Sequence, residues 1–402
     1  MRRRLAFAAV VCFLAAPVAT AAAPTLPVRL ARALSVPHLA AGASAAIAVD
    51  LETYAVVYQR NADLSLLPAS NEKLAVSFAA LRELGPAYRF RTEVLGAGFR
   101  DGPVWNGDLF LKGYGDPTLS SLQLARLAAQ LKEQGIVRVT GRVVGDESWF
   151  DSRRMVAGWK AGYYVYESPP LSALAVDRDR YHGRVGTVPP LSAAARFQEL
   201  LHARGIVAGA PATGRTPAKV FALGVVYSEP LPVVLSYMDR ESDNYTAELL
   251  LKTLGAEAGA AGTSRAGAAV VTRVLADSGV PTAGVRVVDG SGLSRSDRVT
   301  ARALATLLVL AWNDLDMQLP LWDALPVAGV NGTLDDRMRR GPARGVVRAK
   351  TGTTNVASAL SGYVRDRYVF AVLQNGYPVS SWWARRAQDR FAQALAAEAG
   401  VP

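Results

Sequence analysis

The sequence predicts an α+β fold in which an antiparallel sheet is covered by helices and interrupted by a smaller inserted α+β domain. Three observations predict it. Strand-like runs rich in Ala, Val, Ile and Tyr stand near both ends, at 44–59 and 346–375. Between them, apolar residues recur at helical spacing. From Thr92 to about Pro189 the texture changes to short β-like runs punctuated by Gly, Pro and Asp.

The first residues read as an address. Arg2, Arg3 and Arg4 form a positive n-region, Leu5 to Ala16 a short apolar core, and Ala19-Thr20-Ala21 a small-x-small cleavage pattern. A signal peptide over 1–21 is expected, with export to the periplasm or cell-envelope surface. Pro17 breaks the run too early for a bilayer span, and no later stretch reads as an integral membrane span. Cys12, the only cysteine, lies in this segment, so neither a disulfide nor a cysteine metal site is expected after cleavage.

Ser44 to Asp50 and Thr53 to Gln59 read as two strands joined by a tight turn. Ser70 then opens a helix on which Leu74, Phe78, Leu81 and, less strictly, Leu84 share a face, and Gly85-Pro86 stops it. Inside the insert, strands are expected at Gly107 to Leu111 and Val137 to Val144, with a helix at Leu122 to Gly135. Helices return at Leu191 to Arg204, Tyr245 to Leu254, Arg265 to Asp277 and Thr300 to Leu310, the last with Thr300 as N-cap. Val346 to Thr354, Ser358 to Val364 and Tyr368 to Asn375 form an antiparallel meander, and a final helix spans about Trp382 to Ala397. Its apolar side reads as packed on the sheet, with a membrane-surface role as the lesser reading.

The formal net charge is +11, and losing the three leader arginines lowers it to +8. A basic exported protein suits an anionic wall or membrane surface. No basic run is interleaved with aromatics, so nucleic acid is not an expected partner. His38, His182 and His202 are scattered without ligand spacing, so no metal and no other cofactor is expected.

Three short motifs, each occurring once, carry the chemistry. Ser70-Asn71-Glu72-Lys73 is the only S-x-x-K, Ser242-Asp243-Asn244 the only S-x-N and Lys350-Thr351-Gly352-Thr353 the only K-[ST]-G. Ser70 and Lys73 lie one helical turn apart, so their side chains share a face. A serine hydroxyl needs a base to become a good nucleophile, and lysine serves once burial and neighbouring positive charge keep its amine neutral. Ser242 and Asn244 flank one residue at a helix start, where a hydroxyl can pass a proton to a leaving amine and an amide can bind a peptide group. The bland alternative there is a capping cluster. Lys350 and Thr351 on a strand would hold a terminal carboxylate, and Gly352 would let a substrate backbone come close. The bland alternative is a rim lysine on an ordinary strand.

The motifs resemble those of active-site serine penicillin-binding proteins and β-lactamases. More narrowly, the chain resembles the class C low-molecular-mass D-alanyl-D-alanine carboxypeptidase/endopeptidases, the S13 peptidases. Gly113-Tyr114-Gly115-Asp116-Pro117, Gly145-Asp146-Glu147-Ser148, Asp289-Gly290-Ser291-Gly292-Leu293-Ser294-Arg295 and Gly332-Thr333-Leu334 add to the likeness, which covers nearly the whole chain after the leader. The resemblance implies a β-lactamase/transpeptidase-like catalytic domain, here 22–91 and 190–402, with an inserted domain at 92–189. The small β domain nested there in relatives is expected to be missing or reduced to Asp179 to Pro189. Gly158-Trp159-Lys160-Ala161-Gly162-Tyr163-Tyr164 lacks the second Trp and the Asp that meet the free amine of the stem-peptide diamino acid in relatives. Glu167 or Tyr166 is the substitute, and Arg295 matches a residue that contacts a side-chain carboxylate.

The resemblance implies peptidoglycan peptides as substrate and β-lactams as covalent inhibitors. It also implies an oxyanion hole from the amides of Ser70 and Thr353. Ser70, Lys73 and Ser242 are the expected catalytic residues, and Asn244, Lys350, Thr351, Gly352, Thr353 and Arg295 the substrate-binding ones. The competing readings are a serine β-lactamase, which needs a base for fast deacylation, and a wall-binding protein without catalysis.

Overall fold

The structure, a computed structural model, describes residues 24–400; the expected signal peptide and Cys12 lie outside the described residues. The first helix, α1 (Leu26–Ala33), precedes the strands β1 (Ser44–Asp50) and β2 (Val56–Arg60) and the helix α2 (Glu72–Leu84). Next come β3 (Arg91–Asp101), β4 (Val104–Gly113), α3 (Ser121–Glu133), β5 (Arg138–Val139), β6 (Val143–Asp146), β7 (Arg180–Tyr181), β8 (Arg184–Val185), α4 (Pro189–His202), β9 (Pro211–Thr213) and β10 (Phe221–Tyr227). Five helices follow: α5 (Leu231–Glu241), α6 (Asn244–Glu257), α7 (Ser264–Asp277), α8 (Ala301–Trp312) and α9 (Gln318–Ala324). The chain closes on β11 (Val347–Thr353), β12 (Ala357–Val364), β13 (Tyr368–Asn375) and α10 (Ser381–Glu398).

The two ends of the chain share one antiparallel sheet, ordered β11-β12-β13-β1-β2. Ile47 stands opposite Ala371 where β1 joins β13. Ile47, Leu373 and Tyr363 face a core built with Phe78, Leu250 and Leu304 from α2, α6 and α8. Ala46, Phe370 and Val372 face the opposite way, against Leu30 of α1 and Phe391 and Leu395 of α10. Helices cover both faces, so β12 and β13 are apolar almost throughout rather than alternating. No helix among the described residues is long and apolar enough to cross a membrane.

A second sheet, ordered β10-β3-β4-β6-β9 with β5 beside β4, has its own core of Leu109, Leu127, Phe197 and Leu201 beneath α3 and α4. This moves a boundary. The helix expected from Leu191 opens instead at Pro189 and packs on the second sheet, whose edge strands end at Thr213 and Tyr227. The inserted unit therefore runs to about Tyr227 rather than ending at 189, because α4 buries Phe197 and Leu201 there. Between Asp179 and Pro189 stands only the hairpin β7–β8.

Most expected elements lie within a few residues of their positions, and Thr300 caps α8 by accepting from the Ala303 amide at 3.0 Å. Three helices are additional: α1, α5 and α9. Each carries a proline near its start, where the missing N–H costs nothing but the residue reads as a breaker.

Candidate active site

Ser70 sits on a single 3-10 turn, Ala69–Asn71, and α2 begins only at Glu72, two residues later than expected. The turn is strained: Ala69 has φ +47, a left-handed conformation that a Cβ disfavours. Two close neighbours hold it. A Cβ on Gly292 would lie 1.8 Å from the Ala69 carbonyl oxygen, and one on Gly352 would lie 3.0 Å from the Ser70 amide nitrogen. Glycine at 352 thus admits the Ser70 turn against β11, a role not expected for it. The Asn71 amide adds a hydrogen bond to the Lys350 carbonyl at 3.0 Å, tying α2 to the same strand.

Lys73, one turn on, is fully buried. Its Nζ donates to Ser70 Oγ at 3.1 Å, to Asn244 Oδ1 at 2.8 Å and to the Ser291 carbonyl at 2.9 Å. Burial pulls its ammonium down to about 8, against the charges of Asp243, Asp289, Glu248 and Asp239, which pull it up. Lys350 is also fully buried on the edge strand β11 and is no rim lysine. Burial and then the charge of Lys73 pull it down to about 7, with Asp239 opposing. Its Nζ donates to the Thr351 carbonyl at 3.1 Å.

Ser242 ends α5 in a left-handed conformation, φ +59, between that helix and α6. Capping falls to Asp243 alone: its carboxylate accepts from the Thr246 amide at 2.8 Å and pairs with Arg178 at 2.7 Å. Asn244, the first residue of α6, presents Oδ1 to Lys73 while its Nδ2 donates to the Glu167 carbonyl at 3.0 Å. This fixes which end of the amide faces the lysine.

A cleft of about 300 Å³ opens beside this cluster, lined by Ala69, Glu167, Arg295 and Thr353 among others. Glu167 belongs to the cleft, whereas Tyr166 is 90% exposed and does not line it. Arg295 is exposed with its guanidinium 5.8 Å from the Tyr377 ring centre. Thr351 Oγ1 donates to Thr333 Oγ1 at 2.7 Å, which orients its hydroxyl.

Five acids stand behind the site, none of them among the expected site residues. Asp239 is fully buried, accepts from Ser77 at 2.7 Å, and is pushed up to about 6 by burial despite Lys350, Ser77 and Lys73. Glu248 Oε1 accepts from the Gly290 and Ser291 amides at 3.0 and 2.8 Å, holding the loop whose carbonyl meets Lys73. Asp289 accepts from the Gly292 and Ser294 amides and the Trp159 indole, each at 2.7 Å. Burial, Asp289 and Glu248 push Glu72 well above the ordinary carboxylate range, and burial, Asp289 and Glu72 push Asp297 up to about 11. Glu72 Oε1, Glu248 Oε2 and Asp297 Oδ2 are buried with no hydrogen-bond partner. Asp239 stands one turn before Ser242, but nothing local in the sequence marks it as buried. Nothing local in the sequence marks Glu72 or Asp297 as buried.

The profile of the D-Ala-D-Ala carboxypeptidase 3 (S13) family matches residues 26–190 and 187–398. A D-alanyl-D-alanine carboxypeptidase of Actinomadura sp. (strain R39) is 34% identical, over 90% of this chain and 83% of the relative. Penicillin binding protein 4 of Haemophilus influenzae, also solved with a β-lactam, superposes with a TM-score of 0.79 at 23% identity, covering 92% of this chain and 98% of that one. A predatory peptidoglycan endopeptidase of Bdellovibrio bacteriovorus superposes with a TM-score of 0.56 at 19% identity, over 83% and 86% of the two chains.

Proposed function

This chain belongs to the D-Ala-D-Ala carboxypeptidase 3 (S13) family and acts as a serine D-Ala-D-Ala carboxypeptidase, and we propose that it does so through an acyl-enzyme on Ser70, cleaving stem peptides and cross-links of peptidoglycan. The observation that carries the reading is the buried Lys73 amine, bridging Ser70 Oγ at 3.1 Å and Asn244 Oδ1 at 2.8 Å. An amine whose charge is disfavoured by burial, in contact with a hydroxyl, is an activated nucleophile and its base.

In the forward step, neutral Lys73 takes the Ser70 proton as Oγ attacks the carbonyl carbon of the penultimate D-Ala. The amides of Ser70 and Thr353 hold the oxyanion, fixed in direction before charge develops. Ser242, assisted by Lys350, delivers a proton to the departing amine as the C–N bond breaks. Asn244 orients the acyl side, and Thr351 and Thr353 grip the terminal carboxylate. Water then releases the acyl group from Ser70. β-Lactams acylate the same oxygen and leave slowly. Glu167 and Arg295, both lining the cleft, read the amine and carboxylate of the stem-peptide diamino acid. The work is done in the periplasm or at the envelope surface.

Labelled penicillin tests the nucleophile: the wild type forms a stable adduct and Ser70→Ala forms none. An adduct on Ser70→Ala would remove Ser70 from the mechanism. Rapid turnover of the adduct would favour a β-lactamase. Products from purified wall, compared between wild type and Ser70→Ala, report the balance of carboxypeptidase and endopeptidase cleavage.

A further inference from the structure

Ser381 lines the catalytic cleft with Ser294, Arg295 and Thr353, and it also lines a second groove of about 920 Å³ along the outer side of α10. The two concavities therefore meet at one residue. α10 spends its inner face on the core through Ala384, Ala387, Phe391 and Leu395. Its outer face carries Trp382, Arg385, Arg386 and Arg390, all lining the groove. Trp382 is 58% exposed, stands edge-on to Trp383 at 4.4 Å, and has the Arg386 guanidinium 5.1 Å from its ring centre.

None of this is needed to hold the helix. The structural anchors are separate: buried Gln388 donates to Ser358 at 2.9 Å and Gln374 at 3.1 Å, and Arg337 takes Asp389 at 2.6 Å. Among the described residues, no ion pair engages Arg385, Arg386 or Arg390. Exposed tryptophan flanked by free guanidinium groups is the composition of a binding surface rather than of solvated helix.

We infer that this groove binds the amino-sugar strand from which the substrate peptide hangs, with Trp382 stacked on the C–H face of a sugar ring and the arginines donating to its hydroxyl and acetamido oxygens. The inference rests on the peptidoglycan substrate proposed above. A stem peptide seated at Ser70 leads its glycan over the rim of the cleft, and Ser381 is where the rim opens into the groove. Asp336 and Asp389 also line the groove, which disfavours an anionic lipid surface as the occupant. A concave channel likewise fits a strand better than a plane.

Cosedimentation with bead-bound, peptide-free glycan strands, stripped from purified sacculi and with the exposed lactyl carboxyls capped as amides, isolates the sugar contribution. The wild type sediments with the strands, Trp382→Ala/Arg386→Ala binds at least about tenfold more weakly, and Trp382→Phe retains most binding. The same double variant keeps its turnover of a sugar-free peptide ending in D-Ala-D-Ala, which shows an intact fold, while D-Ala release from sacculi falls through KM. Equal glycan binding by wild type and double variant would overturn the inference. So would selective loss of binding to vesicles rich in phosphatidylglycerol, which would assign the face to a membrane. Failure of the wild type to cleave the sugar-free peptide would count against the peptidase reading, while the glycan sedimentation still reports on the groove.

Discussion

Asp146 in the inserted sheet and Asp297 behind the catalytic cleft are both fully buried, but their surroundings differ. Asp146 accepts from the Ser148 amide at 2.8 Å, from the Thr216 amide at 2.8 Å and from the Thr216 hydroxyl at 2.5 Å. Burial pulls its carboxyl up, but those bonds outweigh it and hold the group below the ordinary range. Asp297 has one oxygen bonded to the Val288 amide at 2.7 Å and the other unpartnered, facing the charges of Asp289 and Glu72. The insert surrounds its carboxylate with donors and gains a rigid loop. The catalytic half packs acids against one another around two buried lysines. Burial there disfavours charge of either sign, which raises the carboxyls of Glu72, Glu248, Asp239 and Asp297 and lowers both lysines.

Substitutions break this contrast in graded ways. Lys73→Met removes the base, and acylation by penicillin falls roughly 10²–10⁴-fold by stopped flow. Next comes Asp239→Asn, which takes away a negative charge that raises both Lys73 and Lys350. The pH midpoint for acylation moves down, so the variant is relatively faster at acidic pH.

Stability separates the two aspartates further. A carboxyl whose folded pKa is raised stabilises fully below its unfolded value and loses that contribution as pH rises toward the folded value. Asp297, pushed up to about 11, therefore weakens the fold progressively above the ordinary carboxylate range. Asp297→Asn keeps the acceptor for Val288 and removes the ionisable oxygen, so it gains ~1–3 kcal/mol in urea melts at pH 8 and less at pH 5. Asp146 has the opposite sign: its contribution is present above the ordinary range and is lost as pH falls. Thr216→Val, which deletes one donor to it, costs ~1 kcal/mol and leaves the acylation rate unchanged.

The same contrast explains what was legible. Apolar composition located β1, β12 and β13, because a strand buried on both faces is largely apolar along its length. The motifs single out Ser70, Lys73, Asn244 and Lys350, which the structure brings together, because the proposed chemistry restricts residue type as well as spacing. Tertiary environment was not legible. Lys350 looks like any strand lysine until β11 is laid against the Ser70 turn, and Glu72 looks like a first-turn helix acid until Asp289 and Glu248 close over it. The limit of the insert carries no mark in the sequence, because α4 has the same periodicity whichever sheet it packs on. Ser242 was read as a helix start, whereas its left-handed backbone depends on how α5 and α6 meet.

Burial draws Lys73 down to about 8, so that a neutral fraction of the amine, in hydrogen-bond contact with Ser70, is available near neutral pH as the proposed base. The pH dependence of the acylation rate of the wild type, followed with labelled penicillin from acid to alkaline pH, tests it most directly. The rate should climb with deprotonation, with its midpoint near the value of about 8 to which burial pulls Lys73. A rate that stays flat across that range, or falls on crossing it, would contradict a lysine base.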